Sequence, residues 1–342
     1  MRKCWIALSM AFLFSTLFAC GGEGSTKMEG SDSKGDDILI RFSFVNAPMS
    51  IKALAAERFA ELTHEKTGGR VKVEVYPGGQ LYDDDESIDA VAAGNLEMIA
   101  PSVTKMVTFD PRWQYVDMPF LFEDEEHVLA FFDSEIAQDL LRSEILENNN
   151  MMGMGFWQNG FKQFTSTKIP LREPEDFQGL IFRVQAGSVL ESTYRAIGAG
   201  TATLSFGETY AALQQGTVDG TENTFNNIET QNYEEVQDYL TISNHGRIDW
   251  AVFVNQPFWE GMPEDIRIQV EAALAEATEY MNSIAQEENN RSFHAIKESG
   301  NLEIIELTKE ERQKFELAFQ SVYEEFEMVI TKEVIDGIRS LK

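Results

Sequence analysis

The sequence predicts an α/β protein of two lobes with a cleft between them. Strands and helices alternate from Ile38 onward, which is typical of an α/β fold with a largely parallel sheet. A similar helix–glycine–strand unit occurs once in each half, and one helical pattern near the C-terminus is too long for a single lobe. The 342 residues are enough for two lobes with substantial cores.

The first half begins as strand, helix and strand. Apolar runs and turn residues predict strands at 38–45, 71–75 and 98–100 and helices at 50–66 and 87–93. The apolar face of the first helix is predicted to contain Leu54, Ala55, Phe59 and Leu62.

The second half repeats this pattern, with predicted strands at 180–184 and 201–204 and helices at 188–197 and 209–215. Residues 90–97 (AVAAGNLE) and 212–219 (ALQQGTVD) both run from a helix through a glycine to a strand start, with an acid at the same offset. This internal similarity indicates two lobes built alike.

Residues 263–298 contain no internal Gly or Pro and keep helical spacing, so they predict one helix about 50 Å long that crosses both lobes. A strand at 301–307 and helical sequence from Lys309 follow. We expect lobe I to comprise residues 38–160 and about 249–285, and lobe II to comprise residues 161–248 and about 286–342.

The N-terminus carries an export signal. Residues 1–19 have a basic start and an apolar core that is shorter than the roughly 20 residues of a membrane-spanning helix. Residues 17–20 (LFAC) resemble the lipobox of bacterial lipoproteins, so Cys20 is expected to be lipidated; the alternative is an ordinary cleaved signal with an incidental cysteine. With residues 20–37 as a flexible tether, the protein is expected outside the cytoplasm and anchored to a membrane by its N-terminal lipid.

Composition and charge exclude several function classes. The net charge of −29 argues against binding nucleic acid or an anionic membrane surface, because both need basic patches. Cys4 and Cys20 both belong to the signal region, so the rest of the chain has no thiol for a disulfide, a metal site or a nucleophile. The four histidines are far apart, and no nucleotide-binding glycine motif occurs. We therefore expect no metal, no cofactor and no enzymatic activity.

Arg183 is the leading candidate for a functional residue. It ends an apolar strand, it cannot lose its proton, and burying it requires an anion. The anion is either a structural carboxylate, such as Glu208 or Glu222, or the carboxylate of a ligand.

Other candidates surround it in the sequence. The segment 157–165 contains Trp157 before a glycine and Lys162 after it. Asn223 follows a helix-to-strand turn. Each also has a structural interpretation: Lys162 as a solvated charge, Asn223 as a turn cap, and Trp157 and Phe206 as core residues.

Several segments resemble the TRAP (tripartite ATP-independent periplasmic) transporter solute-binding proteins of the dicarboxylate-binding, DctP-like family, here in a lipoprotein form. In the order of that family they are Phe59–Leu62, Thr67–Val73, Tyr76–Leu81, Asp117–Phe122, Asn159–Lys162, Gly179–Val184 and Ala211–Asn223. The resemblance covers nearly the whole chain after the tether. It implies a periplasmic-binding-protein-like fold of type II with a central ligand cleft and a long helix crossing both lobes.

The resemblance also implies a function. Such a protein closes on a small organic acid and delivers it to a TRAP membrane permease. The arginine matching Arg183 forms the salt bridge to the ligand carboxylate, with Asn223 assisting, Phe206 packing beside the ligand and Asn46 reaching it from the other lobe. Lys162 stands where relatives commonly carry arginine, and lysine keeps the charge but loses the bidentate fork.

The predicted ligand contacts are Arg183, Asn223, Lys162, Phe206, Asn46 and Trp157. One arginine can accept the carboxylate of a dicarboxylate, a keto acid, a uronate or a sialic acid. Two alternative functions remain open: an extracytoplasmic hydrolase of acidic sugars that uses Glu208 and Glu222 as an acid pair, and a ligand-sensing subunit of a signalling receptor.

Overall fold

The computed structural model describes residues 38–341. The predicted signal peptide (1–19), the lipidation site Cys20 and the tether (20–37) lie outside the described residues. In the described range, no helix combines the length and the apolar character that a membrane span requires.

Strands and helices alternate along most of this range. The strands are β1 Ile38–Ser43, β2 Val71–Tyr76, β3 Met98–Ile99, β4 Met151–Phe161, β5 Gln163–Ser166, β6 Ile181–Val184, β7 Gly200–Thr203, β8 Gly220–Asn223, β9 Tyr239–Ile242, β10 Arg247–Asn255 and β11 Glu303–Glu306. The α-helices are α1 Ile51–Thr67, α2 Asp84–Ala92, α3 Glu125–Phe132, α4 Glu135–Leu141, α5 Glu144–Asn148, α6 Ser188–Ala196, α7 Thr209–Gln214, α8 Phe225–Thr230, α9 Gln256–Gly261, α10 Glu264–Ser299, α11 Lys309–Ala318, α12 Gln320–Ile330 and α13 Lys332–Ser340. Short 3-10 helices span Val103–Thr108, Pro111–Asp117, Pro174–Phe177 and Tyr233–Glu235.

The strands form two mixed sheets. The first has the order β2-β1-β3-β10-β4 and the second the order β11-β9-β5-β8-β6-β7. Strand β1 pairs parallel with β2 and β3, and β6 pairs parallel with β7 and β8. Strand β10 runs antiparallel to β3 and β4, and β5 runs antiparallel to β8 and β9. The expectation of a largely parallel sheet is therefore wrong for β4, β5 and β10.

These antiparallel strands carry the chain between the sheets. Strand β4 ends in the first sheet and β5 begins in the second, with only Lys162 between them. The chain returns between Ile242 and Arg247, where β9 is followed by β10. A direct connection of this kind needs no crossover helix, so the strands are free to pair antiparallel.

Helix α10 reaches both sheets, as the sequence predicts. Its 36 residues extend about 54 Å and end at Gly300 in the left-handed conformation. Side chains from Ile266 to Met281 are buried with α1 and β4, whereas Ile296 is buried with Leu240 of the second sheet.

Apolar side chains form three clusters. One lies between the first sheet and helices α1 and α10, and a smaller one lies beside the second sheet and α8. The third covers the opposite face of the first sheet, where Phe253 points away from Trp250, and continues to Phe164 and Phe182 of the second sheet. The region between the sheets is thus bounded by rigid cores.

Candidate functional site

A small, partly open cavity lies between the two sheets. The space in it that the centre of a water molecule can occupy is about 10 Å³, and it is lined by Val45, Asn46, Asp84, Ser102, Gln185, Phe206, Asn223, Asn227, Ile248 and Trp250. Asn46 follows β1 and Gln185 follows β6, and Asn223 is the last residue of β8. The carboxyl ends of parallel strands are where α/β proteins commonly bind ligands.

Arg183, the third residue of β6, is buried and does not itself line the cavity, whereas Gln185, two residues later, does. Arg183 pairs with Thr221 of β8, two residues before Asn223. Its Nε and Nη2 donate to the carbonyl oxygen of Leu204 at 3.1 and 2.8 Å, and no carboxylate of residues 38–341 forms an ion pair with it. Burial lowers the pKa of Arg183, but a guanidinium stays protonated. A buried positive charge is therefore left without a carboxylate partner in the described chain.

The two acids considered as partners of Arg183 are engaged elsewhere. Exposed Glu208 accepts hydrogen bonds from the backbone N–H and the hydroxyl of Ser205. Buried Glu222 accepts from Lys162, Tyr194 and His245. Neither forms the structural ion pair with Arg183. One lies on the surface and the other inside a charge cluster, so they also do not form the acid pair of the alternative hydrolase.

Three asparagines connect the two sides of the cavity. Asn46 Nδ2 donates to Asn227 Oδ1 at 2.9 Å, and Asn227 Nδ2 donates to Asn223 Oδ1 at 2.7 Å. The backbone N–H of Thr224 also donates to Asn223 Oδ1 at 3.1 Å, which fixes that atom as the oxygen because an N–H can only donate.

The hydrogen bonds among these three asparagines leave two of their polar atoms without a partner in the described residues. Asn223 Nδ2, a donor, and Asn46 Oδ1, an acceptor, are buried and have no hydrogen-bond partner in the described chain. Both residues line the cavity. Because a buried polar atom without a partner costs free energy, these atoms favour a polar ligand.

Lys162 does not line the cavity. Its Nζ contacts Glu222 at 2.5 Å and Asp117 at 3.4 Å, and all three side chains are buried. In this structure its charge is used inside the protein, and the predicted ligand contact of Lys162 stays a prediction. The single residue between β4 and β5 points into the interior and not toward the cavity.

The charges of this cluster shift the pKa values of its members. Burial would lower the pKa of Lys162, but Glu222 and Asp117 together raise it. Burial would likewise raise the pKa of Glu222, but Lys162 and His245 hold it at about 2. Burial dominates for Asp117 and raises its pKa to about 6. Burial lowers the pKa of His245, so its neutral ring donates from Nε2 to Glu222 at 2.8 Å.

The two aromatic candidates are placed differently. Phe206 lines the cavity, as the resemblance implies. Trp157 is fully buried in the core between the first sheet and α10, where its Nε1 donates to Thr278 Oγ1 at 2.9 Å. Trp250, the residue of β10 that pairs with Trp157, lines the cavity instead, and the predicted ligand contact of Trp157 stays a prediction.

Sequence reasoning missed two charged residues on the first-sheet side. Asp84 lies in a run of four acids that suggests a solvated helix start, yet it lines the cavity, because the capping box of Asp83 and Glu86 turns it inward. Lys52 is completely buried in α1, whereas Leu54, predicted for the apolar face, is partly exposed. Lys52 precedes Ala55, Ala56 and Phe59 by three, four and seven residues, and this spacing could have revealed it.

Metal binding has no support in the geometry. Among residues 38–341, no three His, Cys, Asp or Glu side chains are arranged to hold a metal ion.

The chain is similar to known solute-binding proteins. The family model described as "Bacterial extracellular solute-binding protein, family 7" (DctP) matches residues 42–328. The C4-dicarboxylate-binding periplasmic protein DctP of Rhodobacter capsulatus is 42% identical over 306 residues, which cover 89% of this chain and 91% of that protein. The C4-dicarboxylate-binding protein DctB of Bacillus subtilis (strain 168) is 34% identical over 98% of this chain and 97% of its own length.

A solved structure agrees. The TRAP periplasmic solute-binding protein of Shewanella oneidensis, determined with bound succinate, superposes with a TM-score of 0.86 at 34% identity, covering 89% of this chain and 99% of that one. The family resemblance drawn from the sequence motifs is therefore confirmed, whereas the lipoprotein form stays a prediction. The chain belongs to bacterial extracellular solute-binding protein family 7, the DctP family of TRAP transporter binding proteins, and has their two-lobed α/β fold.

Proposed function

We propose that this protein captures a small dicarboxylate outside the cytoplasm and delivers it to the membrane permease of a TRAP transporter. The observation that carries the proposal is the guanidinium of Arg183, which is buried and has no carboxylate partner in residues 38–341. Nearby, Asn223 has an amide N–H without a partner. A ligand carboxylate would supply the missing anion and accept from both groups through charge-assisted hydrogen bonds.

The proposed ligand is a four-carbon diacid. The names of the Rhodobacter capsulatus and Bacillus subtilis relatives and the succinate in the Shewanella oneidensis structure support this choice.

Lobe closure is the proposed mechanism. The amide chain from Asn46 to Asn223 joins the two sides, and the backbone N–H of Ile51 donates to Asn226 Oδ1 at 3.1 Å across the same gap. A ligand between the two sides can contact both of them only in the closed form. Its binding therefore shifts the population toward that form. The closed form is then the species that the permease recognises.

Ligand binding is tested by thermal unfolding against succinate, malate, glucuronate and butyrate. Succinate at one hundred times its dissociation constant is expected to add about 2.7 kcal/mol to the free energy of unfolding. Butyrate, with one carboxylate, is expected to bind at least about tenfold more weakly, because its methyl end cannot make the charge-assisted hydrogen bonds of a second carboxylate. Tighter binding of glucuronate than of any four-carbon diacid would contradict the proposed ligand class.

We infer that the ligand is not chemically changed, because Glu208 and Glu222 do not form an acid pair. Succinate recovered after prolonged incubation should therefore keep its mass. Co-purification with a receptor kinase in place of a permease would favour the sensor alternative.

Membrane anchoring through Cys20 is part of the proposal. The lipobox-like residues 17–20 support it. Mass spectrometry of detergent-extracted protein is expected to find Cys20 as the first residue, carrying acyl chains. An unmodified Cys20, or cleavage elsewhere, would mean that the protein is released as an ordinary secreted chain.

A further inference from the structure

Two helices, one beside each sheet, begin on the side where the cavity lies. Strand β1 lies between its parallel neighbours β2 and β3 and leads into α1, and β6 lies between β7 and β8 and leads into α6. Both helices therefore begin at the carboxyl end of a parallel strand, which is the end that faces the cavity. The first backbone N–H groups of a helix have no acceptor within the helix, so each of these helix starts needs oxygens from elsewhere.

The start of α1 receives an acceptor from the second-sheet side. Ser50, the residue before α1, accepts from the N–H of Ala53. The N–H of Ile51 donates instead to Asn226 Oδ1 at 3.1 Å, across 175 positions of the chain. Asn226 belongs to α8, which follows β8 of the second sheet, and its side chain is completely buried. It is thus a cap of α1 supplied across the gap between the sheets.

The start of α6 receives an acceptor in the opposite direction. The residue before α6 is Gly187, which has no side chain to act as a cap. The N–H of Val189 and the hydroxyl of Ser188 donate to Gln114 Oε1 at 3.2 and 3.0 Å. Gln114 lies in the 3-10 helix Pro111–Asp117, between β3 and β4 of the first sheet, and is 2% exposed. Each side therefore caps the first turn of a helix on the other side.

The cap of α1 is itself held in place by the long helix α10. The backbone N–H of Asn226 donates to Asn289 Oδ1 at 3.0 Å, and its Nδ2 donates to Ser292 Oγ at 3.2 Å. A backbone N–H can only donate, so the capping atom is an amide oxygen in both caps. A hydrogen bond spans about 3 Å, so each cap exists only while the two sides stay together.

We propose that Asn226 and Gln114 are positioning residues for ligand capture: their reciprocal caps form when the two sides close on the dicarboxylate, and they slow its release. Neither residue is among those that line the cavity, so both act through the position of the two sides and not by touching the ligand. Opening returns the capped N–H groups to water, so each cap favours the closed form. This inference rests on the proposed function, because it requires closure around a bound ligand.

Loss of a cap is expected to change the rate of release and not the rate of association. The ligand enters and leaves through the open form, and a cap that forms on closure determines how often the closed complex opens. Removing one cap is expected to raise the dissociation rate constant of succinate about fivefold, the factor that corresponds to a cap worth about 1 kcal/mol. The association rate constant is expected to stay within about twofold of wild type.

Stopped-flow tryptophan fluorescence follows both rate constants, because Trp250 lines the cavity. Asn226→Leu and Gln114→Met remove the capping oxygens at nearly constant side-chain size, and each is expected to release succinate faster. The two caps lie at separate helix starts, so their combination is expected to accelerate release about 25-fold. Asn226→Asp and Gln114→Glu keep an oxygen at each place and are expected to release succinate more slowly than the apolar variants. Asn226→Ala and Gln114→Ala take the place of an apolar variant that does not fold.

Ser134→Ala is the matched control. Ser134 caps α4 by accepting from the N–H of Ala137, so this cap lies within one helix and does not join the two sides. Its loss is expected to lower the stability of the protein and to leave both rate constants unchanged.

Wild-type release rates in Asn226→Leu and Gln114→Met would overturn the role of the caps and leave the proposed function intact. The same acceleration in Ser134→Ala would also overturn it, because the effect would then be one of stability alone. If wild-type protein does not bind succinate at all, the proposed function itself fails, and the role of the caps with it.

Discussion

Arg183→Met is expected to weaken succinate binding by about 2–5 kcal/mol, which is roughly 30-fold to several-thousandfold in the dissociation constant. The guanidinium is a buried cation without a carboxylate partner in residues 38–341, so its removal leaves the ligand carboxylate without a counter-charge. Methionine retains much of the side-chain volume, which separates the loss of charge from the loss of packing. Isothermal titration calorimetry measures the effect. An affinity within threefold of wild type would contradict the assigned role of Arg183.

Without ligand, Arg183→Met is not expected to destabilise the protein. A buried charge without an ionic partner contributes little to folding, so Arg183→Met without ligand should be no less stable than wild type. Arg195→Met is a matched control, because that side chain is 62% exposed and pairs with Glu325 at the surface. It should leave succinate affinity unchanged. Arg183→Lys keeps the charge but loses the fork, and should fall between wild type and Arg183→Met.

Lys162→Met is expected to destabilise the protein by about 3–5 kcal/mol near pH 7.5, because it leaves two buried carboxylates without their cation. Urea denaturation measures this loss. Lys72→Met is the matched control: its ion pair with Glu74 is exposed, and such pairs contribute about 0–1 kcal/mol. A loss below about 1 kcal/mol for Lys162→Met would contradict the structural role of this lysine.

The loss should depend on pH. In the wild type the pKa of Glu222 is held at about 2, so its stabilising contribution is present above its unfolded pKa and is lost as the pH falls toward 2. The pKa of Asp117 is already raised to about 6, and without Lys162 both values rise further. At pH 5 the variant can neutralise these carboxyl groups by protonation. Its deficit relative to wild type should therefore be smaller at pH 5 than at pH 7.5.

Lys162 is also a difference from the family pattern. The resemblance implies arginine at this place, and lysine keeps the charge but loses the bidentate fork. The structure shows that Lys162 contacts Glu222 and Asp117.

The secondary structure was predicted well where local signals are strong. Helix α10 was expected at 263–298 and is observed at Glu264–Ser299, because its apolar period and Gly300 are local features. Strand β4 at Met151–Phe161 was not predicted. It contains three glycines before its last residue and lacks clear alternation, and its pairing with β10 joins residues about ninety positions apart.

The residues of the candidate site likewise include some that the sequence marks and one that it does not. Motif order marked Arg183, Asn223, Asn46 and Phe206, and the structure puts the last three on the cavity wall, whereas Arg183 is buried and does not itself line the cavity. Asp84 could not be told from its acidic neighbours by sequence. All of residues 83–86 are equally polar, and only the capping geometry of α2 selects the one that turns inward.

The sequence by itself determined the α/β class, the order of the main elements and the family, because hydrophobic period, turn residues and motif order are properties of short segments. Only the tertiary structure decided which charges are available to a ligand. Lys162 contacts Glu222 from sixty residues away, whereas within residues 38–341 Arg183 hydrogen-bonds to a backbone carbonyl and to no carboxylate. Whether a buried cation is neutralised depends on distances of a few ångströms between distant parts of the chain, and the packing of the two sheets sets those distances.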